Sequence, residues 1–251
     1  MAYGPENRFA LRTGASTGAD AVSIDVGLRQ HMLKVYNYMA SGLALTGIIA
    51  LFTAKTPALL NLLYAVGPTG KMSPTILAWV VMLAPIGLVF FLSARIHAMK
   101  SSTAQALFWV YSAMMGLSLA NVFLVFTGAS VARVFFISAG VFAAMSLYGY
   151  TTKRDLSGFG SFLMMGLIGI VIAMVVNIFL QSSALHFVIS VIGVLVFVGL
   201  TAYDTQEIKS IYLESDDGET SGKKAIMGAL TLYLDFINMF IFMLQLFGNR
   251  E

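Results

Sequence analysis

The chain has 251 residues, of which 58% are hydrophobic and only 11% are charged, whereas soluble domains carry about 45–50% apolar and about 25% charged residues. This composition excludes a soluble enzyme, a nucleic-acid-binding protein and a disulfide-rich scaffold, and the absence of cysteine excludes thiol catalysis. Several stretches without Asp, Glu, Lys or Arg are long enough for membrane spans of about 20 residues. They run from Lys71 to Arg95, from Lys100 to Arg133 and from Asp155 to Asp204. The chain is therefore predicted to be an all-α, polytopic membrane protein in contact with the lipid bilayer.

The chain divides into two predicted regions. Residues 1–30 show no helical apolar stripe and are predicted to form a mobile N-terminal tail. Residues 31–251 are predicted to form a transmembrane domain of seven helices. In chain order the apolar stretches lie at about 35–54, 75–95, 104–126, 133–150, 159–180, 184–205 and 225–247.

Loop charges predict the orientation of these spans, because cytoplasmic loops carry an excess of Lys and Arg. With seven spans, the N-terminal tail and the second, fourth and sixth loops share one side of the membrane. That side holds Arg8, Arg12, Arg29, Lys34, Arg95, Lys100, Lys153, Arg154, Lys209, Lys223 and Lys224, and the other holds Lys55, Lys71, Arg133 and Arg250. The N-terminus is therefore predicted to be cytoplasmic and the C-terminus to lie outside.

Two aspartates lie within apolar stretches. Asp204 lies in the run LTAYDTQ and Asp235 in the run LYLDFIN. An ionised Asp at the centre of a membrane helix costs about 2.5–3.5 kcal/mol on insertion scales, so such a residue marks a functional site by default. For Asp204, a solvated position at the level of the lipid headgroups is an alternative.

The spacing of the two aspartates predicts that they meet. If the sixth helix continues to about Leu213 and the seventh begins near Lys223, each aspartate lies about 15 Å along its helix from the connecting loop. Both also belong to polar stripes that should face the bundle interior and line a path through it. The stripes add Thr201 on the sixth helix, and Thr231 and Asn238 on the seventh.

A pair of carboxyl groups in this position would respond to pH. Two negative charges about 4 Å apart repel by about 4 kcal/mol at an effective dielectric constant near 20. The two groups would then share one proton near neutral pH and titrate in coupled steps. The hypothesis from these residues is a protonation switch inside the membrane, with Asp204 and Asp235 as its pH-sensing pair.

Arg95 ends the second span on the predicted cytoplasmic side and has two interpretations. It is either an ordinary positive-inside anchor or a cation that pairs with one of the aspartates. No two histidines fall at metal-binding spacing, so neither a zinc site nor a cofactor is predicted.

Three segments together resemble a known family. They are SLYGYTTKRDLS at 146–157, LTAYDTQ at 200–206 and LYLDFIN at 232–238. With them the chain, from about Arg29 to its C-terminus, resembles the Bax inhibitor-1 family, also called the transmembrane Bax inhibitor motif family, in its prokaryotic branch. The resemblance implies a seven-helix bundle with a central helix wrapped by the others, in a bacterial inner (plasma) membrane. It implies a pH-sensitive calcium leak rather than an enzyme, and eukaryotic members are associated with suppression of cell death.

The resemblance also implies roles for particular residues. The family's paired aspartates map onto Asp204 and Asp235, and its latch arginine in the second helix maps onto Arg95. Some members carry a glutamate in that second helix, but residues 75–94 contain no acidic residue. Because Ca²⁺ prefers six to eight oxygen ligands, two aspartates with Asn238 and carbonyl groups would bind it only weakly, as suits a permeant ion.

Other functions are compatible with the same residues. A non-conducting regulator of a membrane protease or of a quality-control or stress pathway is the main alternative. A proton-coupled cation exchanger would use the same two aspartates. An aspartyl intramembrane protease is disfavoured because Asp235 follows Tyr233-Leu234 instead of the Gly-x-Gly that precedes the second aspartate of those enzymes.

Overall fold

The fold is an all-α bundle with seven membrane-spanning helices. The computed structural model describes residues 7–66 and 72–250, and the side chains of 26–65 and 73–250. Within these residues, seven helices are long and apolar enough to cross a membrane. Each of the seven predicted stretches overlaps one of them. The predicted polytopic membrane architecture is therefore confirmed.

The elements follow one another with short connections. The helices are α1 (Asn7–Lys55), α2 (Pro57–Leu63), α3 (Ile76–Arg95), α4 (Ser101–Ser118), α5 (Val122–Val125), α6 (Gly128–Thr151), α7 (Ser157–Leu180), α8 (Ser183–Ser210) and α9 (Gly218–Phe247). A 3-10 turn over Leu119–Asn121 joins α4 to α5, so these two helices form one span. Strands β1 (Tyr64–Val66) and β2 (Met72–Pro74) form an antiparallel hairpin between α2 and α3.

The first helix is longer than the sequence predicts. It begins at Asn7 and its membrane-spanning part at Val26, whereas the apolar pattern placed the first span from about residue 35. Once a helix has nucleated, each further residue adds one hydrogen bond, so the helix extends readily beyond the membrane segment. Residues 7–30 of the expected tail are therefore helical, and residues 1–6 lie outside the described residues.

Helix α9 is the central helix of the bundle. In its most apolar stretch 72% of the residues are buried, against 11–44% in the other six spans. It packs against α1, α4, α6 and α8, while α3 lies outside α4 and α7 lies outside α8. The outer helices expose apolar residues such as Phe90 and Phe179, as expected for side chains that face lipid. The expectation of a central helix wrapped by the others is confirmed.

Helices α8 and α9 pack as an antiparallel hairpin whose register is fixed by glycines. Gly228 of α9 lies against Ile208, and Gly193 of α8 lies against the ring of Phe242. The helix ends differ from the prediction, since α8 ends at Ser210 and α9 begins at Gly218. The reason is that the connecting segment folds back on α9, where Lys224 Nζ donates to Ile211 O at 2.8 Å and pairs with Asp216 at 2.6 Å.

Side-chain caps define where several spans begin. Thr75, Thr127, Ser182 and Asp217 each accept a hydrogen bond from a backbone N–H of the first turn of the helix that follows. At α9, the side-chain and backbone hydrogen bonds to Thr220 lower the pKa of the Asp217 carboxyl. This carboxylate therefore stays ionised at neutral pH, as the positive end of the helix dipole favours.

Glycine lets α6 approach α8 closely. A Cβ atom at Gly149 of α6 would overlap the carbonyl oxygen of Ala202, whereas one at Gly140 of the same helix would meet nothing within 4 Å. The two glycines therefore differ in packing although they share a helix. Small residues that bring backbones together replace the hydrophobic driving force between helices in lipid.

We predict that Gly149→Ala lowers the free energy of unfolding by roughly 1–3 kcal/mol, because the overlap with backbone cannot be relieved by a side-chain rotation. The matched variant Gly140→Ala should leave stability unchanged or slightly raised. Thermal unfolding of both purified variants in the same detergent measures the difference. Equal midpoints for the two variants would contradict this packing role.

Candidate functional site

The structure brings Asp204 and Asp235 together. Their side chains are within hydrogen-bonding contact across the α8–α9 interface. Asp204 lies six residues before the end of α8 and Asp235 lies 17 residues after the start of α9. They meet nevertheless, because the folded-back connection places Ile208 level with Gly228.

The two carboxyl groups differ in exposure. Asp235 is 4% exposed and Asp204 is half-buried. Asp235 Oδ2 is buried, and no hydrogen-bond donor from the described residues reaches it. A buried carboxylate oxygen without a donor is costly in a medium of low dielectric constant. A proton held between the two carboxyl groups would remove that cost.

Of the other predicted polar residues, Thr231 and Asn238 lie beside Asp235, whereas Thr201 lies in the core. Thr231 and Asn238 are half-buried and donate to the carbonyls of Met227 and Leu234 on their own helix. Thr201 is fully buried, and its hydroxyl donates to Phe197 O at 2.8 Å. Thr201 therefore faces the bundle interior, and its role in lining an ion path stays a prediction.

Thr231 and Asn238 belong to a longer half-buried stripe that the sequence analysis missed. Its polar members recur every seven residues along α9, at a spacing that keeps them on one face of a helix. They are Lys224, Thr231, Asn238 and Gln245, all half-buried. Counting polar residues at seven-residue intervals in 218–247 would have revealed this stripe.

Arg95 does not reach the aspartates in this structure. It is exposed at the end of α3, and it forms no ion pair with any described side chain. The carbonyl of nearby His97 accepts a bond from Lys223 on α9. Lys223 lies about 18 Å along the α9 axis from Asp235, at 1.5 Å per residue. The end of α3 near Lys223 is therefore farther from Asp235 than the length of one side chain.

A third carboxylate lies close to the pair. Glu207 follows Asp204 by one helical turn, is exposed, and interacts electrostatically with the Asp204 carboxyl. The i, i+3 spacing on a membrane helix is the signal that could have identified it. Among the described side chains, no group of three or more His, Asp or Glu residues is arranged to hold a metal ion.

Comparison with known proteins identifies the family. The sequence model described as inhibitor of apoptosis-promoting Bax1 matches residues 28–251. The chain belongs to the Bax inhibitor-1 family. The match covers all seven spans and both aspartates, so the resemblance inferred from the three segments is confirmed.

Bacterial relatives of this Bax inhibitor-1 family protein are similar over nearly their whole length. The chain is 48% identical to the inner membrane protein YbhL of Escherichia coli strain K12 over 227 residues, which is 90% of this chain and 94% of YbhL. It is 48% identical to protein RP147 of Rickettsia prowazekii over 91% of this chain and 93% of the relative. A Caulobacter vibrioides protein is 47% identical over 98% of each chain. The chain is thus an integral membrane protein of the family.

In this family member, hydroxyl groups of three helices form a chain beside the aspartate pair. Tyr36 OH of α1 contacts Ser146 Oγ of α6 at 2.6 Å, and Ser146 contacts Thr205 Oγ1 of α8 at 2.9 Å. Thr205 donates to Thr201 O at 2.7 Å. These bonds have one consistent direction, in which Tyr36 donates to Ser146 and Ser146 donates to Thr205. They fix the turn of α8 that presents Asp204.

We predict that Ser146→Ala lowers the free energy of unfolding by about 1–3 kcal/mol, because it removes the acceptor of the half-buried Tyr36 hydroxyl and the donor to the buried Thr205 hydroxyl. The control is Ser41→Ala on α1, where the exposed hydroxyl donates only to carbonyls of its own helix. Thermal unfolding in detergent should separate the two variants. A Ser146→Ala midpoint equal to that of Ser41→Ala would argue against a structural role for the chain.

Proposed function

We propose that this protein is a pH-sensitive calcium leak channel, gated by a proton that Asp204 and Asp235 share. The observation that carries the proposal is the contact between these two carboxyl groups inside a membrane bundle, with one oxygen of Asp235 buried and lacking a donor. Intramembrane carboxylates commonly mark ion pathways and proton relays. The family membership supports the same assignment.

In this proposal the described conformation is the protonated, closed state of the gate. Two carboxyl groups in hydrogen-bonding contact require a proton between them. Asp235 is then held against α8 and is almost fully withdrawn from solvent. Both aspartates are engaged with each other in this state, so neither offers two free oxygens to a cation.

Loss of the shared proton opens the proposed path. The two carboxylates would repel by about 4 kcal/mol at an effective dielectric constant near 20, which favours separation of α8 from α9. The half-buried stripe with Thr231 and Asn238 adjoins Asp235 on the less covered face of α9. Separated carboxylates and the Asn238 amide oxygen would supply weak, transient calcium ligands, and no resident cofactor is needed.

The direction of the pH dependence follows from this scheme. The shared proton stabilises the closed contact at pH values below the titration of the pair, and this stabilisation is lost as the pH rises. We therefore expect Ca²⁺ flux into proteoliposomes to increase between pH 6 and pH 8. Asp204→Asn and Asp235→Asn should each abolish this dependence, because a neutral amide keeps the contact at every pH.

The matched control is Asp155→Asn, which changes an exposed carboxylate in the α6–α7 connection. It should retain the pH profile of the wild-type protein. All variants are compared as monodisperse protein with the same helical content. A wild-type pH profile in both pair variants would overturn the gate.

The same vesicles separate the alternative functions. Ca²⁺ that moves uphill against its gradient when an opposed proton gradient is applied would identify an exchanger in place of a leak. Folded protein that passes no Ca²⁺, Na⁺, K⁺ or H⁺ at any pH would favour a non-conducting regulator, for example of a membrane protease.

Arg95 provides a separate test of the latch implied by the family. For a latch to form, the end of α3 must move along the bundle toward the pair. A cation that pairs with the aspartates would hold them in a closed state and favour their ionised form. We expect Arg95→Gln to raise flux, and to raise it most at the pH values where the aspartates are ionised. Unchanged flux would exclude the latch.

We also propose that the protein lies in the inner membrane with its N-terminus in the cytoplasm. YbhL, to which it is similar, is an inner membrane protein. The excess of Lys and Arg on the side of the α3–α4, α6–α7 and α8–α9 connections supports this orientation. Labelling of single cysteines introduced at exposed positions 153 and 133 of intact cells distinguishes the two sides, since the chain has no natural cysteine.

A further inference from the structure

The seam between α1 and α6 contains an apolar groove that opens toward the lipid. Both helices pack on α9, and the Tyr36–Ser146 hydrogen bond bridges them. Near the end of the bundle that carries the α6–α7 connection, the seam widens into a groove of about 490 Å³. This volume lies within the range of about 300–1,000 Å³ typical of ligand sites. Its edges include Leu33 and Leu147, which are 50% and 63% exposed.

The groove has an apolar interior and a cation at its mouth. Its walls include Met32, Phe142 and Ala143, and Arg29 lines it one helical turn before Leu33. Arg29 is exposed and forms no ion pair with any side chain in 26–65 or 73–250. It lies on the basic side of the bundle, in the first turn of the first span. A guanidinium at this level can bind a phosphate by two parallel hydrogen bonds.

The polar atoms at the floor of the groove are already satisfied. Tyr36 OH donates to Ser146, and Ser146 donates to Thr205, so neither hydroxyl has a free proton for a polar ligand. Apart from Arg29 and the hydroxyl of Tyr150, the free surface of the groove is therefore hydrocarbon. An acyl chain fits this surface, whereas a polar metabolite would lose its hydrogen bonds to water without replacement.

We propose that this groove binds one anionic phospholipid, with an acyl chain between α1 and α6 and the phosphate on Arg29. The lipid would lie against Tyr36 and Ser146, the first two members of the hydroxyl chain that ends on the α8 turn of Asp204. Lipid binding would therefore stabilise the arrangement of α8 in which the aspartates touch. This site is independent of whether the protein conducts calcium.

The test is native mass spectrometry of the full chain, released from detergent after addition of dioleoyl phosphatidylglycerol or dioleoyl phosphatidylcholine. We expect one retained phosphatidylglycerol that Ala143→Phe removes, because the ring fills the groove. Ala144→Phe is the matched control, since Ala144 is the next residue, is also exposed, and does not line the groove. It should retain the lipid.

A second pair of variants tests the charge. Arg29→Gln should weaken phosphatidylglycerol binding about fivefold, as expected for one basic residue near anionic headgroups. Lys153→Gln changes an exposed cation on the same side that does not line the groove, and it should have no such effect.

Several results would overturn the proposal. They are equal retention of phosphatidylcholine and phosphatidylglycerol, equal lipid loss in Ala143→Phe and Ala144→Phe, or no lipid loss in Ala143→Phe. Dissociation of a dimer by Ala143→Phe would instead identify the groove as a contact between two copies of the chain. A lipid result in the expected direction stands even if the wild-type protein shows no calcium flux.

Discussion

The central constraint on this molecule is that a carboxylate in the middle of a membrane helix must find a partner inside the protein. Asp235 lies on the most buried helix of the bundle, and the partner it meets is another carboxyl group rather than a cation. In the proposed gate the two groups stay in contact only while they hold a proton. The packing of α8 against α9 would then depend on the protonation state of this pair.

Because Asp235 lies on the central helix, a change in the aspartate pair would affect the packing of several helices. Helix α9 packs against α1, α4, α6 and α8, so a change in its contact with α8 is felt by most of the bundle. Tyr233, two residues before Asp235, bonds Thr46 of α1 at 2.7 Å, and Thr46 donates to Ser112 O of α4. A rotation or shift of α9 would have to break these buried bonds. They favour the described conformation and would oppose the opening of the proposed gate.

Much of this arrangement could be predicted from the sequence because membrane spans have a strong signal. Apolar stretches predicted all seven spans, and the antiparallel connection of the last two predicted that Asp204 and Asp235 meet. The helix ends used for that second prediction differ from the observed ends at Ser210 and Gly218. The bonds between helices could not be predicted in the same way. Whether Ser146 meets Tyr36 and Thr205, or whether Thr201 faces the core, depends on the rotation of each helix, which small residues such as Gly149 determine through close packing.

The resemblance and the structure contribute different information about Arg95. The proposed latch assigns Arg95 a part in gating, but in the described conformation the end of α3 lies by Lys223, which donates to His97 O, and Arg95 forms no ion pair with the aspartates. The two statements are compatible only if α3 moves between states. Helix α3 is suited to such movement, since it packs mainly on α4 and does not share the buried hydrogen bonds that hold α1, α4 and α9 together. The mobile part of the proposed gate would thus lie at the edge of the bundle, and the proton-binding part at its centre.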